Sequence, residues 1–153
     1  MELSLQDRHA PHSRCFGCGP ENSKGLRIKS FVRGEEVVCE LAVEPQHQAF
    51  EGFVAGGIVG AAFDCHCNWT AAHHLLLTSG QDRLPATVTA EYTIRFLRPT
   101  PARARLLLRA HVVSSSPRRA TVDARLEADG EVTATFRGVF VAVAEDHPAY
   151  GRW

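Results

Sequence analysis

The apolar positions of this chain change period twice. Near the start they alternate: Leu26 to Val32 and Glu36 to Val43 read as two short strands hinged at Arg33-Gly34-Glu35, with Val37, Cys39, Leu41 and Val43 on one face. From Gly57 to about Leu77 the alternation stops, and Ile58, Val59, Ala61, Ala62, Phe63, Cys65, Cys67, Trp69, Ala71, Ala72, Leu75 and Leu76 surround a helix instead of striping it. A helix that is apolar all round is a buried helix. At about 1.5 Å per residue it is some 30 Å long, and Gly56-Gly57 at its entrance suits a tight backbone approach. Period 2 then returns through four segments, roughly Ala86 to Arg98, Arg103 to Ser114, Ala120 to Ala128 and Glu131 to Val143. The third is clearest, with Ala120, Val122, Ala124, Leu126 and Ala128 set against Thr121, Asp123, Arg125 and Glu127, which implies one dry face and one wet face. Asp129-Gly130 is the strongest of the turn signals between them.

Strand, strand, long buried helix and four-strand meander is the order that lets a curved antiparallel sheet of about six strands close around one central helix, an α+β architecture. A single sheet covers only part of such a helix, so a second subunit is expected to cover the rest. Residues 1–24 carry Pro11, Pro20, Gly17 and Gly19 without a hydrophobic period and read as an irregular arm with a Cys15-x-x-Cys18 turn. Residues 25–144 form the domain, and 145–153 read as a loose tail.

A length of 153 residues with 44% hydrophobic content suits one domain with one core. The 17 basic residues cancel the 17 acidic ones, so the field that collects nucleic-acid phosphates is missing. Residues 1–77 hold 6 basic and 9 acidic residues, and residues 78–153 hold 11 and 8, the late excess being all arginine. It serves either a phosphorylated small ligand or exposed strand faces. Residues 1–25 are polar and His-rich, and no apolar run approaches the roughly 20 residues that span a bilayer, so a cytoplasmic protein without a membrane partner is expected. Five cysteines, an odd number without an export signal, are expected as reduced thiols.

Several spaced motifs agree in order: Cys15-Phe16-Gly17-Cys18-Gly19-Pro20-Glu21-Asn22, Lys24-Gly25-Leu26, His47 through Ile58 (HQAFEGFVAGGI), Asp64, and Thr89 with Arg95-Phe96-Leu97-Arg98-Pro99. From about Cys15 to Val143 the chain resembles the hotdog-fold thioesterase superfamily of the phenylacetate-pathway type. The resemblance implies a hotdog fold, a homodimer or dimer of dimers with sites at the subunit interface, an acyl-CoA substrate and no cofactor. It implies that the Gly56 amide polarises the thioester carbonyl and that Asp64, eight residues on, acts as general base or nucleophile. Thr89 matches the position from which related enzymes place a hydroxyl near the acid, and otherwise is an ordinary strand residue. His47, Gln48 and Gly57 match the loop and helix start beside the substrate, with plain loop structure as the alternative for the first two. Arg98, with Arg95, Arg118 and Arg119, is a candidate for the nucleotide phosphates. The chain departs from the family at Ala49, where a glycine is usual, and at Ala55, where a histidine is frequent.

The chemistry makes sense on its own terms. A helix N-terminus offers unpaired amides and a positive dipole end for an oxyanion, and a carboxylate among Phe63, Cys65 and Trp69 is desolvated into a better base. Eight helical residues separate Gly56 from Asp64 by about 12 Å along the axis, too far for both to act on one carbonyl. The expectation is therefore that Gly56 of one subunit meets Asp64 of the other across antiparallel helices.

His9, His12, Cys15 and Cys18 recur every third residue and form a donor set that zinc accepts, but more tightly spaced than common structural sites. The thioesterase relatives need no metal, so none is expected, and the Cys-x-x-Cys segment reads as a packed turn closing one end of the substrate channel. Cys65, His66 and Cys67 point in successive directions on the helix and read as buried core, not as a nucleophilic centre. His73-His74 complement the helix dipole near its end. The functional expectation is an acyl-CoA thioesterase acting on a small or medium acyl group, against a non-catalytic acyl-CoA or lipid-binding module of the same fold.

Overall fold

A computed structural model describes all of residues 1–153. In chain order the elements are helix α1 (Leu5–His9), strands β1 (Phe31–Arg33) and β2 (Glu36–Leu41), a 3-10 turn (Pro45–His47), a small hairpin of β3 (Gln48–Phe50) and β4 (Phe53–Val54), and the long helix α2 (Gly56–Ser79). Strands β5 (Thr87–Phe96), β6 (Leu106–Ser116), β7 (Arg119–Ala128) and β8 (Glu131–Ala142) complete the chain. The main sheet has six strands in the order β1-β2-β6-β7-β8-β5 and every pairing is antiparallel.

The all-round apolar composition of α2 does what it implies. Phe63, Trp69 and Leu75 are completely or almost completely buried, and they share one core with Leu106 and Leu108 of β6, Val122 and Leu126 of β7, and Phe136 and Phe140 of β8. Phe63 stacks on Phe136 with ring centroids 5.2 Å apart. Each such side chain contributes about 1.5–3 kcal/mol through burial. The helix stops at Gly80, which takes the left-handed conformation of a C-cap at φ +67. On β7 the expected alternation holds, with Ala120, Val122, Ala124, Leu126 and Ala128 inside. Asp129 and Gly130 both take positive φ, 49 and 84, as a two-residue hairpin turn requires.

The wet face of the sheet accounts for much of the arginine. Arg125 reaches Glu36 at 3.1 Å and Glu127 at 2.8 Å, Arg109 reaches Glu127 at 3.2 Å, and Arg137 reaches Asp123 at 2.6 Å.

Three regions differ from expectation. Only Phe31–Arg33 of the first expected strand pairs in the sheet, because residues ahead of it bond to the arm instead: Leu26 N–H donates to Phe16 O and Ile28 N–H to Gly17 O. The arm is not irregular throughout. It contains α1, capped by Ser4 Oγ accepting from the Asp7 amide, and it buries Leu5, Gln6 and Cys18. The tail is docked, with Trp153 against Trp69 at 4.4 Å between centroids and its indole N–H donating to Pro85 O at 2.9 Å. Arm and tail thus cover part of the helix surface that the sheet leaves open.

One buried polar chain joins the arm to the helix. Gln6 Nε2 donates to Ser30 Oγ at 2.9 Å, Ser30 Oγ donates to His66 Nδ1 at 2.8 Å, and His66 Nε2 donates to Val37 O at 2.9 Å. Every heteroatom of a neutral imidazole is satisfied there, and burial pulls the His66 pKa down to about 4.

Candidate active site

Two polar residues one turn apart on α2, Asp64 and Asn68, face two threonines spaced by two on β5. Thr89 Oγ1 donates to Asp64 Oδ1 at 2.6 Å, and Thr87 Oγ1 donates to Asn68 Oδ1 at 2.5 Å. The periodicities explain the match: i and i+4 share a helix face, and i and i+2 share a strand face. A register shift between Thr89 and Glu91 marks a bulge just beyond the site, a feature that re-aims strand side chains. Asp64 is half-buried, and the Thr89 bond leaves its second carboxylate oxygen without a protein partner. Burial pushes the Asp64 pKa above the usual carboxylate range, while the Thr89 hydroxyl opposes that rise; nearby Cys15 adds to it and Arg152 counters it.

At the other end of the same face, α2 begins at Gly56 with Ala55 as N-cap, in extended conformation and with no side-chain cap. Gly56 and Gly57 are both exposed, and their amides precede the first intrahelical bonds, which run from Ile58 and Val59 to Ala55 O. A side chain at Gly57 would meet nothing within 4 Å, and one at Gly56 would touch only the Phe96 ring, at 3.4 Å. The loop before the helix is held by residues expected to line the substrate. His47 is buried; its Nδ1 accepts from the Glu44 amide at 3.0 Å, and its carbonyl accepts from the Ala55 amide at 2.8 Å. Gln48 Oε1 accepts from the Gly52 amide at 2.7 Å. Both side chains thus brace the loop that leads into the helix start.

Arg98 pairs with Glu131 at an exposed position, and Arg118 donates to Ala142 O. Arg98, Arg95 and Arg118 do not converge with Asp64 through any hydrogen bond or ion pair. A cavity of about 730 Å³ lies at the far end of α2 between Gly80–Ala86 and the tail, and Asp64 does not line it. Phe50, Phe96, Leu97 and Tyr92 form an exposed apolar border around the helix start and along β5, which is an edge strand with one side unpaired. Asn68 is the residue that sequence reasoning missed. Its signal was its place one turn after Asp64, matched by the Thr87-x-Thr89 pair on the following strand.

A family model described as Thioesterase superfamily matches residues 51–135, more than half of the chain and the whole stretch from the Gly-Gly entrance through Asp64 and Thr89. The chain belongs to the thioesterase superfamily. Its architecture is the hotdog fold, as the solved structures it resembles agree. A thioesterase superfamily protein from Shewanella loihica PV-4 is 29% identical, with a TM-score of 0.65, over 82% of this chain and 98% of that one. A variant of the phenylacetic acid degradation protein PaaI from Thermus thermophilus is 24% identical, with a TM-score of 0.59, over 77% of this chain and 95% of that one. An uncharacterised protein from Pyrococcus horikoshii is 17% identical, with a TM-score of 0.64, over 95% and 98%. No curated protein sequence matches significantly. Within this superfamily member, no helix is long and apolar enough to cross a membrane.

Proposed function

We propose that this thioesterase-superfamily protein is an acyl-CoA thioesterase that hydrolyses a small or medium acyl-CoA to free acid and CoA, working as a homodimer or dimer of dimers. The observation that carries this reading is the half-buried Asp64 with one oxygen held by Thr89 at 2.6 Å and the other free to act. Asp64 takes a proton from a water molecule, whose oxygen bonds to the thioester carbonyl carbon. The carbonyl oxygen becomes an oxyanion held by the Gly56 amide of the second subunit, with Gly57 giving the substrate room beside the helix start. Collapse of that intermediate breaks the C–S bond, and the thiolate of CoA leaves with the proton that Asp64 held.

The spacing of the two groups supports a dimer. Gly56 and Asp64 lie about 12 Å apart along one helix, so a reacting carbonyl is served by both only when two helices run antiparallel across an interface. The exposed border of Phe50, Tyr92, Phe96 and Leu97 beside the open edge of β5 supports that face as the interface. His47 and Gln48 then act by shaping the helix entrance, and Arg98 is a peripheral candidate for CoA phosphates.

A second reading, an acyl-CoA or lipid-binding module without turnover, is favoured by Ala55, which leaves the helix start without a side-chain cap. A panel of acyl-CoAs assayed with a thiol reagent decides between them. Turnover that is lost in Asp64→Asn supports the enzyme, and saturable binding without thiol release supports the module.

A further inference from the structure

Along the sequence, Cys15 and Cys18 group with His9 and His12, a set too tightly spaced for a common zinc site. The fold regroups them. His12 is drawn away to Glu21 at 2.7 Å, and a cysteine from the centre of α2 takes the place beside the Cys-x-x-Cys turn. The sulfurs of Cys15, Cys18 and Cys65 all lie within 4.8 Å of one another, with Cys15 Sγ to Cys65 Sγ at 3.6 Å. We propose that Cys15, Cys18 and Cys65 form a three-thiolate site for one thiophilic metal ion, zinc being the ion that fits, which staples the N-terminal arm to the helix that carries Asp64.

The spacing suits the ion. With Zn–S bonds of about 2.3 Å, two sulfurs of a tetrahedral centre sit about 3.8 Å apart. Three sulfurs fill three corners, and the fourth is left to solvent on the side where Cys15 is half-exposed.

The surroundings are also those of a thiolate cluster. The Gly17 and Cys18 backbone lies beside the Cys15 sulfur and favours its thiolate form, which is the form a metal binds. The Trp69 indole N–H is buried without a hydrogen-bond partner and lies near the Cys18 sulfur, which as a thiolate would offer it an acceptor. The turn is shaped to close on the helix: a side chain at Gly17 would put Cβ 2.3 Å from Cys65 Sγ. The Leu26 and Ile28 amides tie the other side of the turn down, at Phe16 O and Gly17 O. Of the five cysteines, Cys39 and Cys67 stand outside the cluster. Cys15 and Cys18 lie outside the stretch that the superfamily model matches, residues 51–135, while Cys65 lies inside it.

Binding replaces the three thiol protons with the ion and releases them to solvent. The test uses the full chain, reduced and stripped of metal, titrated anaerobically with cobalt(II) and then zinc(II). The expected result is one cobalt per chain, with sulfur-to-cobalt charge-transfer absorption and the visible bands of a tetrahedral centre, all displaced by one equivalent of zinc. Cys15→Ser and Cys65→Ser each weaken binding by more than the roughly 10–100-fold that loss of an outer partner costs, whereas His12→Ala leaves it unchanged. Circular dichroism reports whether each variant folds. Should Cys65→Ser fail to fold, the half-exposed Cys15→Ser and zinc protection of Cys15 against alkylation in the unaltered chain carry the test. The proposal is overturned by a reduced protein that takes up no cobalt, by a spectrum that Cys15→Ser leaves unchanged, or by a Cys15–Cys65 disulfide whose reduction yields thiols that bind no metal.

Discussion

Thr89 on β5 donates its hydroxyl to Asp64 on α2 at 2.6 Å, one helical turn from the equivalent bond between Thr87 and Asn68. The lower pair is wholly or nearly buried and sets the register of strand on helix. The upper pair opens toward the surface, so the same register fixes where the free oxygen of Asp64 points.

Replacing Asp64 with asparagine removes the proton acceptor but keeps an oxygen for Thr89 to donate to. Thioester hydrolysis is expected to fall by about 10²–10⁴, the usual contribution of a general base, with an unchanged circular dichroism spectrum. Thiol release from acyl-CoA at saturating substrate measures it.

Thr89 acts as a positioning residue. Thr89→Val keeps the shape and loses the hydroxyl, and a hydrogen bond to a charged group contributes about 1.5–3 kcal/mol, so kcat is expected to drop by roughly 10–100-fold with little change in KM. Thr89→Ser restores most of the rate. Equal rates in the valine and serine variants would mean that the hydroxyl has no part.

Acid sensitivity of the fold is expected to come from His66. Its pKa is depressed to about 4 by burial, against 6.5 for the free side chain. Between those values the unfolded chain binds more protons than the folded one, so stability is full above about pH 6.5, falls as pH drops toward 4, and levels off below. The difference amounts to about 3 kcal/mol. Urea midpoints from pH 7.5 to 4 measure it, and His66→Gln flattens that slope even though it lowers stability at neutral pH.

Much of this fold was legible because α2 and the meander carry long periodic patterns. What escaped has local physical causes. Residues Leu26 to Ser30 look like a strand, but their partner is the arm, and no periodicity reports a contact with an irregular segment. Helix α1 has five residues, too few to show a period. The hairpin of β3 and β4 has strands of three and two residues. Asp64 and Thr89 were each legible as candidates, and the resemblance implied a hydroxyl near the acid; the register of β5 against α2 that brings them to 2.6 Å is not read from any periodicity. His66 and Cys65 were read as plain core. One is a fully bonded polar centre, and the other faces two cysteines that the chain brings back from fifty and forty-seven residues away. The tail looked loose because its docking rests on Arg152 and Trp153 at the very end.

The claim that matters most is that each active centre takes its acid from one subunit and its amide from the other. Gly56→Pro isolates the amide: proline is favoured as the first residue of a helix, and Ala55 before it already has ψ 136, as a residue preceding proline prefers. Alone, this variant is expected to lose about 10²–10³ in kcat, the effect of deleting one oxyanion donor. The decisive measurement combines it with Asp64→Asn by unfolding and refolding an equal mixture of the two inactive chains. Half of the resulting dimers are hybrids, and each holds one centre with an intact Asp64 and an intact Gly56 from opposite chains, so about a quarter of the unaltered activity is expected to return. Activity no greater than that of the two variants refolded separately, in a mixture shown to contain hybrids, would contradict the shared centre.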